Sequence, residues 1–279
     1  LSDDIGGNGK WRRDWRRSDL RIVRKLLNIG AFSWIFILII WQVVSMFSLP
    51  EFLPGPLAVM QGLESLLASG TFGQFVGISL IRILAGWIIG SAIGIPIGIL
   101  MGCNPIVRAL IDPILNFFRF IPAIGFLTLF MLWLGVGEES KVVLLVYATA
   151  FLVILNTMAG VASVQEEKIR AAKSLGASGW QIVFHVVIPS AIPSIFTGER
   201  LAIGSAFGAI VSAEMLAANQ GIGYLIWTSR LYFKTSWIFV GLITLGVLGF
   251  IVDRLLLFLA KKALGKYGIS SSIDSMIAH

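Results

Sequence analysis

Apolar residues gather in six long runs along this chain, near 29–49, 73–101, 121–136, 142–162, 193–217 and 237–260, with short polar stretches between them. Most of the runs approach or exceed the roughly 20 residues that a helix needs to cross a bilayer. The pattern therefore predicts an all-α integral membrane protein with about six transmembrane helices. The third run is short, and the partly apolar stretch 107–120 before it reads as a segment lying along the membrane surface. The polar interruption between the fourth and fifth runs predicts two short helices, Glu166 to Ser174 and Ser178 to Val186. Gly176 between them suits the left-handed residue that ends a helix, and Pro189 is expected to restart the chain toward the fifth span.

Composition agrees with this pattern. Of 279 residues 57% are hydrophobic and 13% charged, where a soluble domain carries about 25% charged residues. A net charge of +7 would hint at nucleic acid in a soluble protein, but here the cations sit in tails and short loops. The N-terminal tail holds Lys10, Arg12, Arg13, Arg16, Arg17, Arg21, Arg24 and Lys25. The 102–119 loop adds Arg108 and Arg119, the central loop Lys168, Arg170 and Lys173, and the end of the last span Lys261, Lys262 and Lys266. The alternate loops are poorer, with Glu51 and Glu64, then Glu138, Glu139 and Lys141, then Arg230 and Lys234. The positive-inside rule then places both termini and the central loop in the cytoplasm. Nucleic acid is not an expected partner; membrane lipid is.

The expected organisation is a basic tail at 1–28, a transmembrane domain at 29–265 with its central loop at 163–190, and a short tail at 266–279. Within the first tail, Leu20, Val23 and Leu27 share one helical face, which fits an interfacial amphipathic helix or a solvated helix end. The first apolar run is too long for a signal-peptide core. The single cysteine, Cys103, excludes an internal disulfide, and His185 and His279 lack the spacing of metal ligands, so no metal site is expected. There is no G-x-x-x-x-G-K-[ST] loop and no G-x-S-x-G nucleophile. This chain is not expected to hydrolyse ATP or to be an enzyme.

Inside the spans two patterns stand out. Gly86, Gly90, Gly94, Gly98 and Gly102 form an i, i+4 ladder, a groove without side chains into which another helix can pack. Packing within one subunit is the favoured use over a dimer face, and Pro96 is expected to kink this span. The fifth span carries Gly204, Gly208 and Ser212 beside Ala202, Ala206, Ser205, Ala209 and Ala213, which suits close packing and equally a helix lining a pathway. Charges inside spans are costly and hence candidates for function: Arg82, Glu199, Arg200 and Glu214. Arg82 and Glu214 both fall toward the outer side and are expected to meet as a buried pair; Arg200 is a second pathway candidate.

The central loop reads Glu166, Glu167, Lys168, Ile169, Arg170, Ala171, Ala172, Lys173, then Gly176, Ala177, Ser178 and Trp180, and closes on Val186, Ile188 and Pro189. This order resembles the EAA loop of ATP-binding-cassette (ABC) importer permeases, whose pattern is EAA, three residues, G, nine residues, I-x-L-P. Arg170 stands where that family often has Glu, and Ile188 replaces Leu. FLPGP at 52–56, SLIRILAGW at 79–87, GIPIGILMG at 94–102, VIPSAIPSIFTGERLA at 187–202, VSAEM at 211–215 and GIGYLI at 221–226 extend the likeness to the nitrate/sulfonate/bicarbonate branch.

The resemblance implies a type I importer fold and a permease subunit in the bacterial plasma (inner) membrane. It also implies two cytoplasmic ATP-binding subunits holding ATP and Mg, a second permease copy expected as a homodimer, and an external or periplasmic substrate-binding protein. The loop residues named above would grip the ATPase. The solute would be small, with an oxyanion such as nitrate, bicarbonate or an alkanesulfonate favoured. The alternative is an ion-coupled carrier or channel without an ATPase; no internal repeat or paired midplane carboxylates speak for it.

Overall fold

The computed structural model describes residues 32–264. The expected amphipathic helix at 18–28 and the tail at 266–279 lie outside the described residues. The chain divides between Gly62 and Leu63 into two compact units. In the first, an apolar helix α1, Phe32–Met46, leads into a turn held by the Trp41 indole N–H donating to the Pro54 carbonyl at 3.0 Å. Helix α2, Pro56–Ala68, spans the division.

The second unit is a helical bundle. Its members are α3 (Thr71–Cys103), α4 (Pro105–Phe118), α5 (Ala123–Leu134), α6 (Glu138–Ala162), α7 (Glu166–Ser174), α8 (Gly179–Ile182), α9 (Ile188–Ala217), α10 (Ile222–Leu231) and α11 (Thr235–Leu264). Among the described residues four helices are long and apolar enough to cross a membrane. They are α3, α6, the α8–α9 stretch Gly179–Ala217, and α11. The pair α4 and α5 makes a fifth crossing if read as one span, bent by 97° at its break.

The backbone of the bundle is α3 against α6 against α9. The α3 ladder meets α6 rung by rung: Gly86 lies on Leu145, Gly90 on Thr149, Gly94 on Val153, Gly98 on Thr157 and Gly102 on Val161. A methyl group on Gly98 would stand 2.5 Å from the Thr157 Cβ, and one on Gly102 2.5 Å from the Val161 Cβ. The side-chain-free groove thus receives a neighbour within the same chain, and α3 runs unbroken through Pro96. On the other side of α6, Gly160 faces Ser194 and Gly198 faces Asn156 across the α6–α9 contact. In lipid, where apolar surface gives helices no preference for one another over the tails, such close approach is what holds the pair.

Three expectations change. The stretch 102–119, expected as a loop, contains the helix α4. Val107, Ile111 and Leu115 of α4 share a core cluster with Met101 of α3 and with Ile154 and Met158 of α6, so one face of α4 is packed on the bundle. Arg108 and Arg119, expected in an inner loop, belong to α4 and to the break that follows it. Pro189 does not restart the chain either. A π-helical turn, Val183–Val187, joins α8 to α9 without interruption. Pro189 has no N–H to give the carbonyl four residues back, and the Ile188 N–H reaches Val183 instead, so the wider turn absorbs the missing donor. Finally, the stretch taken as a loop around Arg230 contains α10, whose Ile222 and Ile226 lie in the main core with Ile83, Leu145, Ile203 and Ile210. Ten residues are too few to register as a span.

Candidate functional site

Two regions at opposite ends of α9, roughly 40 Å apart at about 1.5 Å per residue, carry the candidate chemistry. The first is the α7–α8 loop. Helix α7 ends in a Schellman motif: the Gly176 N–H donates to the Lys173 carbonyl at 2.9 Å and the Ala177 N–H to the Ala172 carbonyl at 3.1 Å. Gly176 has φ of +81°, a conformation that a Cβ makes costly. Two residues on, Ser178 opens α8 with a capping box: its backbone N–H donates to Gln181 Oε1 at 2.8 Å, and its hydroxyl accepts from the Gln181 N–H at 3.5 Å. The two short helices are thereby fixed to one another by backbone geometry.

The loop is rooted on one side and bare on the other. Ile169, Ala172 and Ala177 pack onto Val161, Ile182, Val187 and Ala191, so Ala172 faces inward while Ala171 is exposed. Outward stand Leu175, 88% exposed, and Trp180, 74% exposed, with Trp180 stacked on Phe184 at 5.8 Å. Glu166, Glu167, Lys168, Arg170 and Lys173 surround them, exposed, with Arg170 Nη2 2.8 Å from Glu166 Oε2. Surface pairs of this kind add little stability. The loop is thus a rigid, apolar-tipped knob ringed with charge.

The second region is a buried polar clasp. Arg82 of α3 and Glu214 of α9 meet, with Nη1 2.8 Å from Oε1, and are 3% and 0% exposed. The same guanidinium donates through Nε and Nη2 to both oxygens of Glu138 at 2.5 and 2.6 Å, and through Nη1 to the Gln220 carbonyl at 2.8 Å. Lys141 Nζ adds a contact to Glu138 at 3.0 Å. Ser79 donates to Glu214 at 2.7 Å, while the Ile222 N–H donates to Ser79 Oγ at 2.9 Å and the Gly223 N–H to Glu214 Oε2 at 2.8 Å. The first N–H groups of α10, orphans in any isolated helix, are thus satisfied by α3 and α9, and the carboxylate sits at the positive end of α10. Gly221, at φ +123°, passes so close to the Glu214 carboxylate that no Cβ fits. A cavity of about 470 Å³ opens beside the clasp, lined by Arg82, Glu138, Lys141, Asn219 and Gln220 among others.

Arg200 and Glu199, the other two charges expected inside spans, have separate partners. Arg200 holds Asp253 of α11 through Nε at 2.7 Å and Nη2 at 2.9 Å. Glu199 accepts from the Ser91 hydroxyl at 2.6 Å. Asp253 and Arg254 escaped the reading of the sequence although both interrupt the last apolar run, a signal as plain as that at Arg200. Glu138 escaped it for a better reason: it sat at the edge of a polar loop, and only the fold carries it to Arg82. On α9, Ala202, Ala206 and Ala213 are wholly buried, whereas no atom comes within 4 Å of a methyl group built on Gly204 or Gly208. One small-residue face is packed and the other is open.

The chain is thus a bundle of membrane-crossing helices with a rigid two-helix loop at one end. Residues 94–265 match the family described as binding-protein-dependent transport system inner membrane component, and the chain belongs to that family. It is similar to the taurine transport system permease protein TauC of Escherichia coli, 35% identical over 234 residues that cover 81% of this chain and 84% of that protein. It is also similar to the nitrate import permease protein NrtB of Synechocystis sp., 30% identical over 232 residues covering 80% and 84%. Among solved structures, the inward-facing MetNI methionine ABC transporter shares the fold, with a TM-score of 0.59 at 20% identity over 72% of this chain and 97% of that one. The chain is therefore an inner-membrane permease subunit of an ABC importer, in the branch of the taurine, sulfonate and nitrate permeases. It is a non-catalytic subunit whose system includes an ATPase and a binding protein.

Proposed function

We propose that this permease forms, with a second copy of itself, the alternating-access pathway for a small oxyanion: nitrate, bicarbonate or an alkanesulfonate. The relatives named for taurine and nitrate transport support the substrate class. Two cytoplasmic ATPase subunits holding ATP and Mg drive the cycle, and an external binding protein delivers the solute; this chain itself binds neither nucleotide nor metal. Both termini and the α7–α8 loop face the cytoplasm, and lipid surrounds the outer helices.

The observation that carries this reading is the loop. Its Schellman turn and capping box make it stiff, its inner face is rooted on α6 and α9, and Leu175, Trp180 and Phe184 are bare. A stiff knob inserted into a groove of the ATPase moves the helices to which it is rooted when that groove moves. Glu166, Glu167, Lys168, Arg170 and Lys173 pair with charges at the rim, while Ala171, Gly176, Ala177, Ser178, Trp180 and Pro189 set the shape and reach of the knob. The α3 ladder holds the subunit's own core, and the clasp of Arg82 and Glu214 locks the opposite end; Arg200 braces α9 on α11.

The test is co-purification of the chain from its native membrane, wild type beside Gly176→Asp, with mass spectrometry of what accompanies it. A stoichiometric ATPase with the wild type, lost in the variant, is expected. Absence of an ATPase from both samples would remove the proposal.

A further inference from the structure

Two arginines inside the bundle are answered by carboxylates, Arg82 by Glu138 and Glu214 and Arg200 by Asp253. Arg119 is not. It sits at the break between α4 and α5, exposed, with its Cζ 4.8 Å from the centroid of the Phe120 ring. Among the described residues no carboxylate lies within ion-pair distance of it.

Its depth follows from α6. The Tyr147 hydroxyl donates to the carbonyls of Phe118 at 2.7 Å and Ile121 at 3.3 Å, so the break is level with Tyr147. That level is about 14 Å along α6 from Glu138 and about 22 Å from Ala162, at roughly 1.5 Å per residue. Arg119 therefore lies between the two ends of the membrane-crossing helix α6.

It is not alone on its side of the helix. Arg108, Asp112, Asn116 and Arg119 follow one another at helical spacing, exposed or half-buried, separate from Val107, Ile111 and Leu115, which face the core. Ile106, Leu110, Ile114 and Phe117 make a distinct exposed apolar face suited to lipid. Charged groups at this depth are tolerated where they face water or protein, not acyl chains. A helix with separate core, lipid and polar faces borders an aqueous space.

We infer that the stripe Arg108, Asp112, Asn116 and Arg119 lines the solute path, and that Arg119 is the cation that receives a small oxyanion part-way through the membrane. The inference rests on the importer reading above and adds the residue that reads the charge. A guanidinium offers a planar fork of donors matched to nitrate or a sulfonate group. Asp112 lies about 10 Å back along the stripe, too far to neutralise that fork.

The test places a thiol at Asn116→Cys in a Cys103→Ser background, in the purified permease–ATPase complex in lipid vesicles. Two methanethiosulfonate reagents are compared, the anionic sulfonatoethyl and the cationic trimethylammonioethyl, each rate divided by that with a free thiol in solution. Labelling by both is expected, with the anionic reagent favoured roughly tenfold by the nearby charge. Arg119→Gln should abolish that preference and Arg119→Lys should keep it. No labelling by either reagent, or a preference indifferent to Arg119, overturns the inference. Uptake of nitrate and of taurine into the same vesicles, with the binding protein supplied, reads the substrate proposal separately. A labelling preference without uptake of either anion sinks that proposal and leaves an anion-lined path. Uptake undiminished in Arg119→Gln overturns the role given to Arg119.

Discussion

The α7–α8 loop and the Arg82 clasp are built on opposite plans. In the loop every fixing hydrogen bond joins residues a few positions apart, and large apolar side chains are left in the open. In the clasp the contacts join α3, α6, α9 and the start of α10, and nearly everything but the Glu138 side chain, 55% exposed, is buried. The first plan yields a stiff element that costs the fold little and offers itself to a partner. The second ties together the elements that must stay in register. Damage to the clasp should therefore appear as lost stability, and damage to the loop as lost coupling.

The largest effect is expected at the clasp. Arg82→Gln strands the buried Glu214 carboxylate, and breaking one partner of a buried pair costs about 3–5 kcal/mol; thermal unfolding of the detergent-solubilised protein measures it. Glu138→Gln should cost clearly less because its side chain is half in solvent. Reversal of both charges, Arg82→Glu with Glu214→Arg, should fail to restore stability, because the new carboxylate would face Glu138 and Gly221 leaves no room for a larger side chain. Full rescue would show that Arg82 and Glu214 act as a simple pair.

Next comes the ladder. Gly98→Val forces α3 away from Thr157 and α6, and overpacking of this kind costs about 1–3 kcal/mol, again read by thermal unfolding. Gly208→Ala, with open space around it, should stay within about 0.5 kcal/mol. Equal losses at the two positions would mean that a second chain covers Gly208 as closely as α6 covers Gly98.

Gly176→Ala sharpens the contrast at the loop. A Cβ in the left-handed region costs about 1–2 kcal/mol, and the distorted turn should lower the ATPase activity of the complex well beyond any change in its melting temperature. The smallest stability effect is expected for Trp180→Ala, within about 0.5 kcal/mol for an exposed side chain. ATPase retained on co-purification should nevertheless fall. A large drop in melting temperature with intact ATPase binding would place Trp180 in the core rather than at a docking face.

Much of this molecule is local and so can be read along the chain. The spans follow from runs of apolar residues, the turn at Gly176 from a glycine after a short polar helix, and the α3 groove from a strict i, i+4 repeat of glycine. Each depends on residues within a turn or two of one another, whose geometry the helix itself dictates. The family likeness was carried by a spacing within one loop for the same reason.

What the tertiary structure decided was which distant groups meet. Glu138 becomes the third member of the clasp only because α6 begins beside Arg82, 56 positions away. Helix α10 earns its buried place by supplying N–H groups to Ser79 and Glu214. Arg119 moves from a loop to a level part-way along α6 because Tyr147 holds the break between α4 and α5. Sequence spacing sets what a helix presents on each face. Where that face ends up, and which charge answers it, depends on how helices cross, and that is a property of the packed bundle rather than of any segment.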